Sequence, residues 1–256
     1  MRTVRWSILF LACAFSVTAQ QAPLEGPERQ AVLRQLDASY YHPDNLASIE
    51  CNVGLDFSSV IAALGGNADA AKSLSGISIK VKAARGEITK LEVSWPPDTK
   101  LNKEQMQQSL QQMVGGFFQM YWSVFAASIV TPPADAVSIE PRAGGGYTMH
   151  QRSNNMDTLA SLDQDFLPNQ LELHSAVMNG TMDFHFSASE NPQPGDLRRI
   201  TGLDVSQQVA SSSMQIKIDL DYQRVDGLAI PHRVSMGLGR GMTVGMELTG
   251  CSVSRR

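Results

Sequence analysis

Along most of this chain apolar and polar residues alternate one by one, and turn-forming residues break the alternation. A period of two sends successive side chains to opposite faces of a strand, so the chain must build sheet with one buried face. Three segments carry the pattern together with its turn. Ile77, Ile79, Val81 and Ala83 alternate with Ser78, Lys80 and Lys82; Leu91, Val93 and Trp95 follow after Arg85-Gly86-Glu87. A three-residue loop there pairs the apolar sets and sets Lys80 opposite Glu92. Asn179-Gly180 is a strong hairpin signal. A two-residue turn at that point sets Leu173 against Phe186 and Val177 against Met182, with Glu172, His174, Asp183 and His185 on the other face. In the third, Ile216, Ile218, Leu220 and Tyr222 face Leu228, Ile230, Val234 and Met236, and only an odd-length loop brings these sets together. Val225-Asp226-Gly227 suits it, placing Asp219 opposite Arg233 and His232 opposite Leu220. Pro231 inside the return strand predicts an edge or a bulge.

Further strands are expected from Ala47 to Phe57, around Gly144-Gly145-Gly146, from Thr158 to Asp163, from Asp196 to Val205 and from Thr243 to Val253. Roughly nine to eleven strands joined by hairpins make an antiparallel sheet. Two segments are helical instead. Glu28 to Tyr41 carries Val32, Leu33, Leu36 and Tyr40 on one side, and Pro43 stops it. Leu101 to Ile129 presents Met106, Leu110, Met113, Val114, Phe117, Tyr121 and Phe125 as a stripe, with no charge between Gln105 and Ala134. Gln119, Ser123, Gly115-Gly116 and the lack of a basic flank oppose a membrane span. A helix this apolar lies on the sheet or covers a cavity.

The N-terminus reads as a cleaved leader over residues 1–19. Arg2 and Arg5 precede a short apolar run from Trp6 to Phe15, and Val17-Thr18-Ala19 offers a cleavage site. Leu11-Ala12-Cys13 is a poor lipid-attachment box, because Phe10 stands where a smaller aliphatic is wanted and Cys13 falls too early. Residues 20–27 form a spacer, and 28–256 form one domain. Without Arg2 and Arg5 the formal charge of −4 becomes −6. A mildly acidic chain without basic clusters is a poor partner for nucleic acid or anionic membrane. Only Cys51 and Cys251 then remain, in the first and last expected strands. In a periplasmic or extracellular compartment such a pair predicts a disulfide tying the two ends of the sheet together; two separate buried thiols are the alternative.

Leu36-Asp37-Ala38-Ser39-Tyr40-Tyr41 near the start and Tyr222-Gln223-Arg224-Val225-Asp226-Gly227-Leu228-Ala229-Ile230-Pro231 near the end are shared turn and strand chemistry. With the leader, the early helix and the apolar helix, they make the chain resemble the periplasmic lipoprotein-carrier family, the LolA-like half-barrels. The resemblance implies an open barrel with a helical lid and an interior that accepts acyl chains. It carries no ligand-handling residue onto a numbered position. The fold class expected is α+β, mostly β: a strongly curved antiparallel sheet, an open or half β-barrel, with the long apolar helix and the N-terminal amphipathic helix packed on its concave side.

Few residues look like chemistry. His174 and His185, placed across one hairpin with Glu172 and Asp183, are a weak metal pair, since catalysis needs three ligands and an open position. His232 has no carboxylate expected beside it and reads as a buried, satisfied histidine. His42-Pro43-Asp44 reads as a helix stop. Gly237, Gly239 and Gly241 precede a strand and form no phosphate loop; they relax sheet curvature. No nucleophile sits in a strand-turn-helix elbow. No enzyme activity, cofactor or metal is expected. The function expected is a carrier or binding protein for lipid-like ligands or a lipidated polypeptide. Its cavity is lined by Met106, Leu110, Met113, Phe117, Phe118, Tyr121, Trp122 and Phe125. The alternative is a structural or interaction module with a filled core, whose exposed edge strand recruits an envelope protein.

Overall fold

Twelve strands form a single antiparallel sheet among the described residues of the computed structural model, which are 22–63, 76–97, 102–129, 137–153, 156–176, 178–187, 197–209, 212–237, 239 and 241–256. They are β1 (Leu46–Asp56), β2 (Ser78–Ala84), β3 (Lys90–Ser94), β4 (Val137–Pro141), β5 (Tyr147–Ser153), β6 (Met156–Leu162), β7 (Pro168–Ser175), β8 (Met178–Phe186), β9 (Ile200–Val209), β10 (Ser212–Val225), β11 (Leu228–Gly237) and β12 (Thr243–Arg255). The order β3-β2-β1-β12-β11-β10-β9-β8-β7-β6-β5-β4 is a nine-strand meander to whose last strand the first three are added. The sheet is open, with β3 and β4 as its edges. The leader, Cys13, Gly65-Gly66 and Val177 lie outside the described residues.

Among the described residues three α-helices accompany the sheet: α1 (Gly26–Ser39), α2 (Ser58–Ala63) and α3 (Lys103–Met120), the last continued by a π-helical turn, Tyr121–Phe125. The chain segment from β3 to β4 joins opposite edges of the sheet, so α3 lies on a crossover and not beside a hairpin. Val32, Leu33 and Leu36 of α1 and Leu110, Val114, Phe117 and Phe118 of α3 share one buried cluster with the inward residues of the strands. Tyr40 leaves the helical conformation and Asp44-Asn45 turn the chain into β1, so His42-Pro43-Asp44 is a helix stop as expected. No helix among the described residues is long and apolar enough to cross a membrane.

The first hairpin has the expected register, with Lys80 opposite Glu92 and Val81 opposite Leu91. Lys80 nevertheless pairs with Glu50 of β1 at 2.6 Å, because the neighbouring strand brings that carboxylate closer. The second hairpin corrects the expectation. Asn179 and Gly180 lie inside β8, opposite His174 and Leu173, and the chain turns between Ser175 and Met178. The reason is on β8's other edge, where the ladder with β9 runs unbroken from Met178–Val209 to His185–Gly202. Ladder hydrogen bonds along the whole strand outweigh a locally favourable turn. Gly180 serves close approach instead, since a Cβ there would stand 3.3 Å from the Ser206 carbonyl oxygen.

In the third hairpin Asp226 and Gly227, with φ of 49° and 79°, form a two-residue turn, not a three-residue loop. Parity is restored by a bulge at His232, between the pairs Tyr222–Pro231 and Asp221–Arg233, so Leu220 faces Val234 and Asp219 faces Ser235. The bulge beside Pro231 is as expected; the Asp219–Arg233 and Leu220–His232 pairings are not. His232 is half-exposed, with Nε2 3.6 Å from Glu247 Oε1, which corrects its reading as a buried histidine without a carboxylate. Gly239 and Gly241 take positive φ in the β11–β12 connection and relax a turn, not the strand.

Gly146, at φ 79° in the β4–β5 turn, is the glycine with least freedom to change. A Cβ there would collide with the Leu162 carbonyl oxygen and the Asp163 backbone. Gly146→Ala is expected to destabilise by roughly 2 kcal/mol or more. Gly144→Ala, whose Cβ meets nothing within 4 Å, should be near neutral. Urea unfolding of the two variants checks this; equal midpoints would refute it.

Candidate functional site

The stripe on α3 begins at a capped end. Asn102 accepts the Gln105 backbone N–H at 3.0 Å, and Glu104 sits in the first turn, where the helix dipole favours an anion. Gln105, Gln107, Gln108 and Gln112 face solvent; Leu110, Val114, Phe117 and Phe118 face the sheet. At the far end the Ala126 N–H donates to the Tyr121 carbonyl, which widens the turn and buries Tyr121, Trp122 and Phe125 together. Of the eight expected lining residues, Leu110, Phe117, Phe118, Tyr121, Trp122 and Phe125 are buried, and Met106 and Met113 are half-buried against the same cluster. The aromatic rings form a ladder. Phe117 and Phe118 are 5.3 Å apart edge to face, Phe118 and Tyr121 6.4 Å, and Tyr121 stacks on Phe125 at 6.3 Å.

Three cavities among the described residues lie away from this stripe. One of about 760 Å³ lies along the other face of the sheet, over Gly54, Gly245 and Ser235, and is flanked by Asp56, Asp219, Asp221, Arg233 and Glu247. Two of about 470 Å³ border the β4–β5 turn, one of them against α1.

A polar cluster that the sequence did not single out surrounds the aromatic end of α3. Arg85, read only as a turn residue, donates from Nη2 to the carbonyls of Pro43 and Ala126, and its guanidinium lies 5.3 Å from the centre of the Trp122 ring. Tyr41 accepts the Ala229 N–H at 2.8 Å and lies 5.8 Å from the Arg199 guanidinium. The Tyr222 hydroxyl donates to Ile200 O at 2.7 Å, and Tyr40 accepts the Ile129 N–H at 3.0 Å. The Tyr121 hydroxyl, on a side chain 1 % exposed, and Trp122 Nε1 have no partner among the described residues. The only sequence signals for this cluster were the Tyr40-Tyr41 pair and Tyr222, which read as strand and helix-end residues.

Burial pushes the Tyr40 phenol up to about 12, and Tyr121 and Tyr222 are raised by the same cause. These groups are held neutral in the folded protein, whereas in the unfolded chain they ionise near pH 10. Their contribution to stability is therefore complete below about pH 10 and declines as pH rises toward 12. Alkaline titration followed by phenolate absorbance and circular dichroism together should show the buried phenols ionising with loss of the fold. Ionisation of every tyrosine near pH 10 with the fold intact would refute it.

The two histidines do not meet. His174 lies opposite Asn179 and His185 opposite Gly202, six residues apart along β8, a separation of roughly 20 Å at the strand rise. His174 contacts Glu172 at 3.2 Å and His185 contacts Asp204 at 2.9 Å. No group of three or more His, Cys, Asp or Glu side chains among the described residues is arranged to hold a metal ion. The weak metal pair is thus corrected by the register of the hairpin. Cys51 and Cys251, by contrast, are bonded to each other.

No protein-family model matches the chain, and no curated protein is significantly similar to it. Among solved structures, a DUF1329 family protein from Desulfovibrio piger matches at 8% identity with a TM-score of 0.25, over 88% of this chain and 92% of the other. At that TM-score the likeness carries neither fold nor function across.

Proposed function

We propose that the chain is an exported, non-catalytic binding or carrier protein for lipid-like or acylated ligands. In this reading residues 28–256 form one half-barrel domain, and the leader directs it to the periplasm or cell exterior. The ligand is held between the concave side of the sheet and α3. The observation that carries the reading is how α3 is attached. Its backbone packs against β3, an edge strand, and its own aromatic and methionine side chains join the buried cluster of the sheet. Gln111 Nε2 donating to Thr89 O at 2.7 Å is its direct hydrogen bond to that edge. An acyl chain offers such a cluster the same apolar contact as the cluster offers itself, and methionine repacks easily around variable shapes. The Cys51–Cys251 disulfide suits an oxidising compartment.

A specific observation favours the second reading, a structural module with a filled core: six of the eight expected lining residues are already buried. Its partner would be an envelope protein adding a strand to the edge at β3. The edge at β4 is less available, since the Leu24 N–H donates to Ile139 O at 2.7 Å. Native mass spectrometry of the protein from its own envelope fraction, with organic extraction, separates the two. Co-purifying lipid or acylated peptide is the expected result. A ligand-free mass that also refuses added fatty acid would overturn the carrier reading in favour of the module.

A further inference from the structure

Polar groups sealed inside a folded protein nearly always find a hydrogen-bond partner, because an orphan forfeits its hydration for nothing. Among the described residues three orphans sit together: the Tyr121 hydroxyl, Trp122 Nε1 and Arg85 Nε. The Tyr121 and Trp122 rings are 5.3 Å apart, and the Arg85 guanidinium is 5.3 Å from the centre of the Trp122 ring. All three are donors, and one belongs to a cation. Arg85 already satisfies two backbone carbonyls through Nη2, so its orphan nitrogen is not explained by that role. The nearby hydroxyls of Tyr41 and Tyr222 bond to the Ala229 N–H and the Ile200 carbonyl, and neither makes a hydrogen bond to the three orphans. The π-turn is what brings two of the donors in from adjacent positions, and such turns recur at functional sites.

Three donors lacking an acceptor define their partner: an acceptor-rich group, with negative charge to match the guanidinium. The apolar rings of Phe118 and Phe125 beside them define what that group is attached to. We propose that Tyr121, Trp122 and Arg85 form an anchor for the carboxylate head of a single-chain amphiphile whose acyl tail lies along the aromatic face of α3. The inference rests on the carrier reading and names its ligand class. A water molecule would accept from at most two of the donors.

Calorimetric titration of the delipidated full-length mature protein with dodecanoate, dodecanol and acetate tests this. Dodecanoate is expected to bind, with dodecanol weaker and acetate weaker still, because head and tail each contribute. Tyr121→Phe keeps the ring and removes one donor; Trp122→Phe removes another while keeping an aromatic, though smaller, side chain. Each should weaken dodecanoate roughly tenfold, and dodecanol by clearly less. If both variants bind dodecanoate as the parent does, or lose dodecanol equally, the anchor is wrong while the carrier reading stands. If the parent protein binds neither amphiphile, the carrier reading falls and the anchor with it. Binding of acetate as tight as dodecanoate would mean a small-anion site and would overturn the amphiphile assignment.

Discussion

Replacing Cys51 and Cys251 together by alanine is expected to lower the unfolding free energy by roughly 3–5 kcal/mol. The two cysteines are separated by 200 residues in sequence, and closing so long a loop in the unfolded chain removes much of its freedom. In the folded protein the bridge asks for nothing unusual of the sheet. β1 and β12 are neighbours, not its two ends, which corrects the expectation of a tie across the sheet. Their register runs from Glu50–Ser252 to Asn52–Thr249, so β12 carries one extra residue there. That residue is Gly250, at φ 57°, and the bulge it makes leaves Cys251 across from Cys51 with their Cα atoms 4.2 Å apart. The first and last strands of the chain must find each other before the sheet is complete, and this contact is the one the covalent bond holds. Denaturant unfolding of the double variant, alongside reduced parent protein, measures the effect. A loss below about 1 kcal/mol would mean that side-chain packing alone holds β1 on β12.

Phe118→Ala is expected to cost about 3–5 kcal/mol in the lipid-free protein. Phe118 is fully buried, at 0 % exposure, and lies between Phe117 and Tyr121 in the ladder under α3. Deleting the ring loses its transfer free energy and leaves a cavity that the rigid sheet on one side cannot close. The size of the loss reports on function. A filled interior gives the upper part of the range. An interior already hollow, or able to collapse because it must accommodate ligand, gives about 2 kcal/mol or less, the transfer contribution alone. In the carrier reading dodecanoate should recover part of the lost stability, since a ligand that binds only the folded state shifts the equilibrium toward it. Unfolding curves with and without the fatty acid make the measurement; the same loss with no recovery would favour the filled-core module.

The faces of the strands were legible in the sequence. Ile79, Val81 and Ala83 are buried as their alternation required, and so are Ile218, Leu220, Val234 and Met236. The Pro231 bulge and the pairing of Cys51 with Cys251 were legible too, since the first depends on residues close in sequence and the second on there being one possible partner. Two registers were not. In the Asn179-Gly180 hairpin the pairing of Leu173 moved from Phe186 to Gly180, and in the third that of Asp219 moved from Arg233 to Ser235. Both shifts are even in number, six residues and two. An even slip leaves every side chain on its own face, so hydrophobic alternation cannot detect it.

What decided those registers was pairing with a third strand, as β9 imposes on β8, and no local turn preference contains that information. The candidate site divides in the same way. Periodicity alone determined that Leu110, Val114, Phe117, Tyr121 and Phe125 share a buried face, because helical spacing puts them on one side of the chain. That Arg85 from the β2–β3 turn meets Trp122, and that Tyr121 is left without an acceptor, was decided only when the crossover between the two sheet edges laid α3 over strands distant in sequence. Whether a buried donor is satisfied depends on every chain segment packed around it, and the tertiary structure alone assembles them.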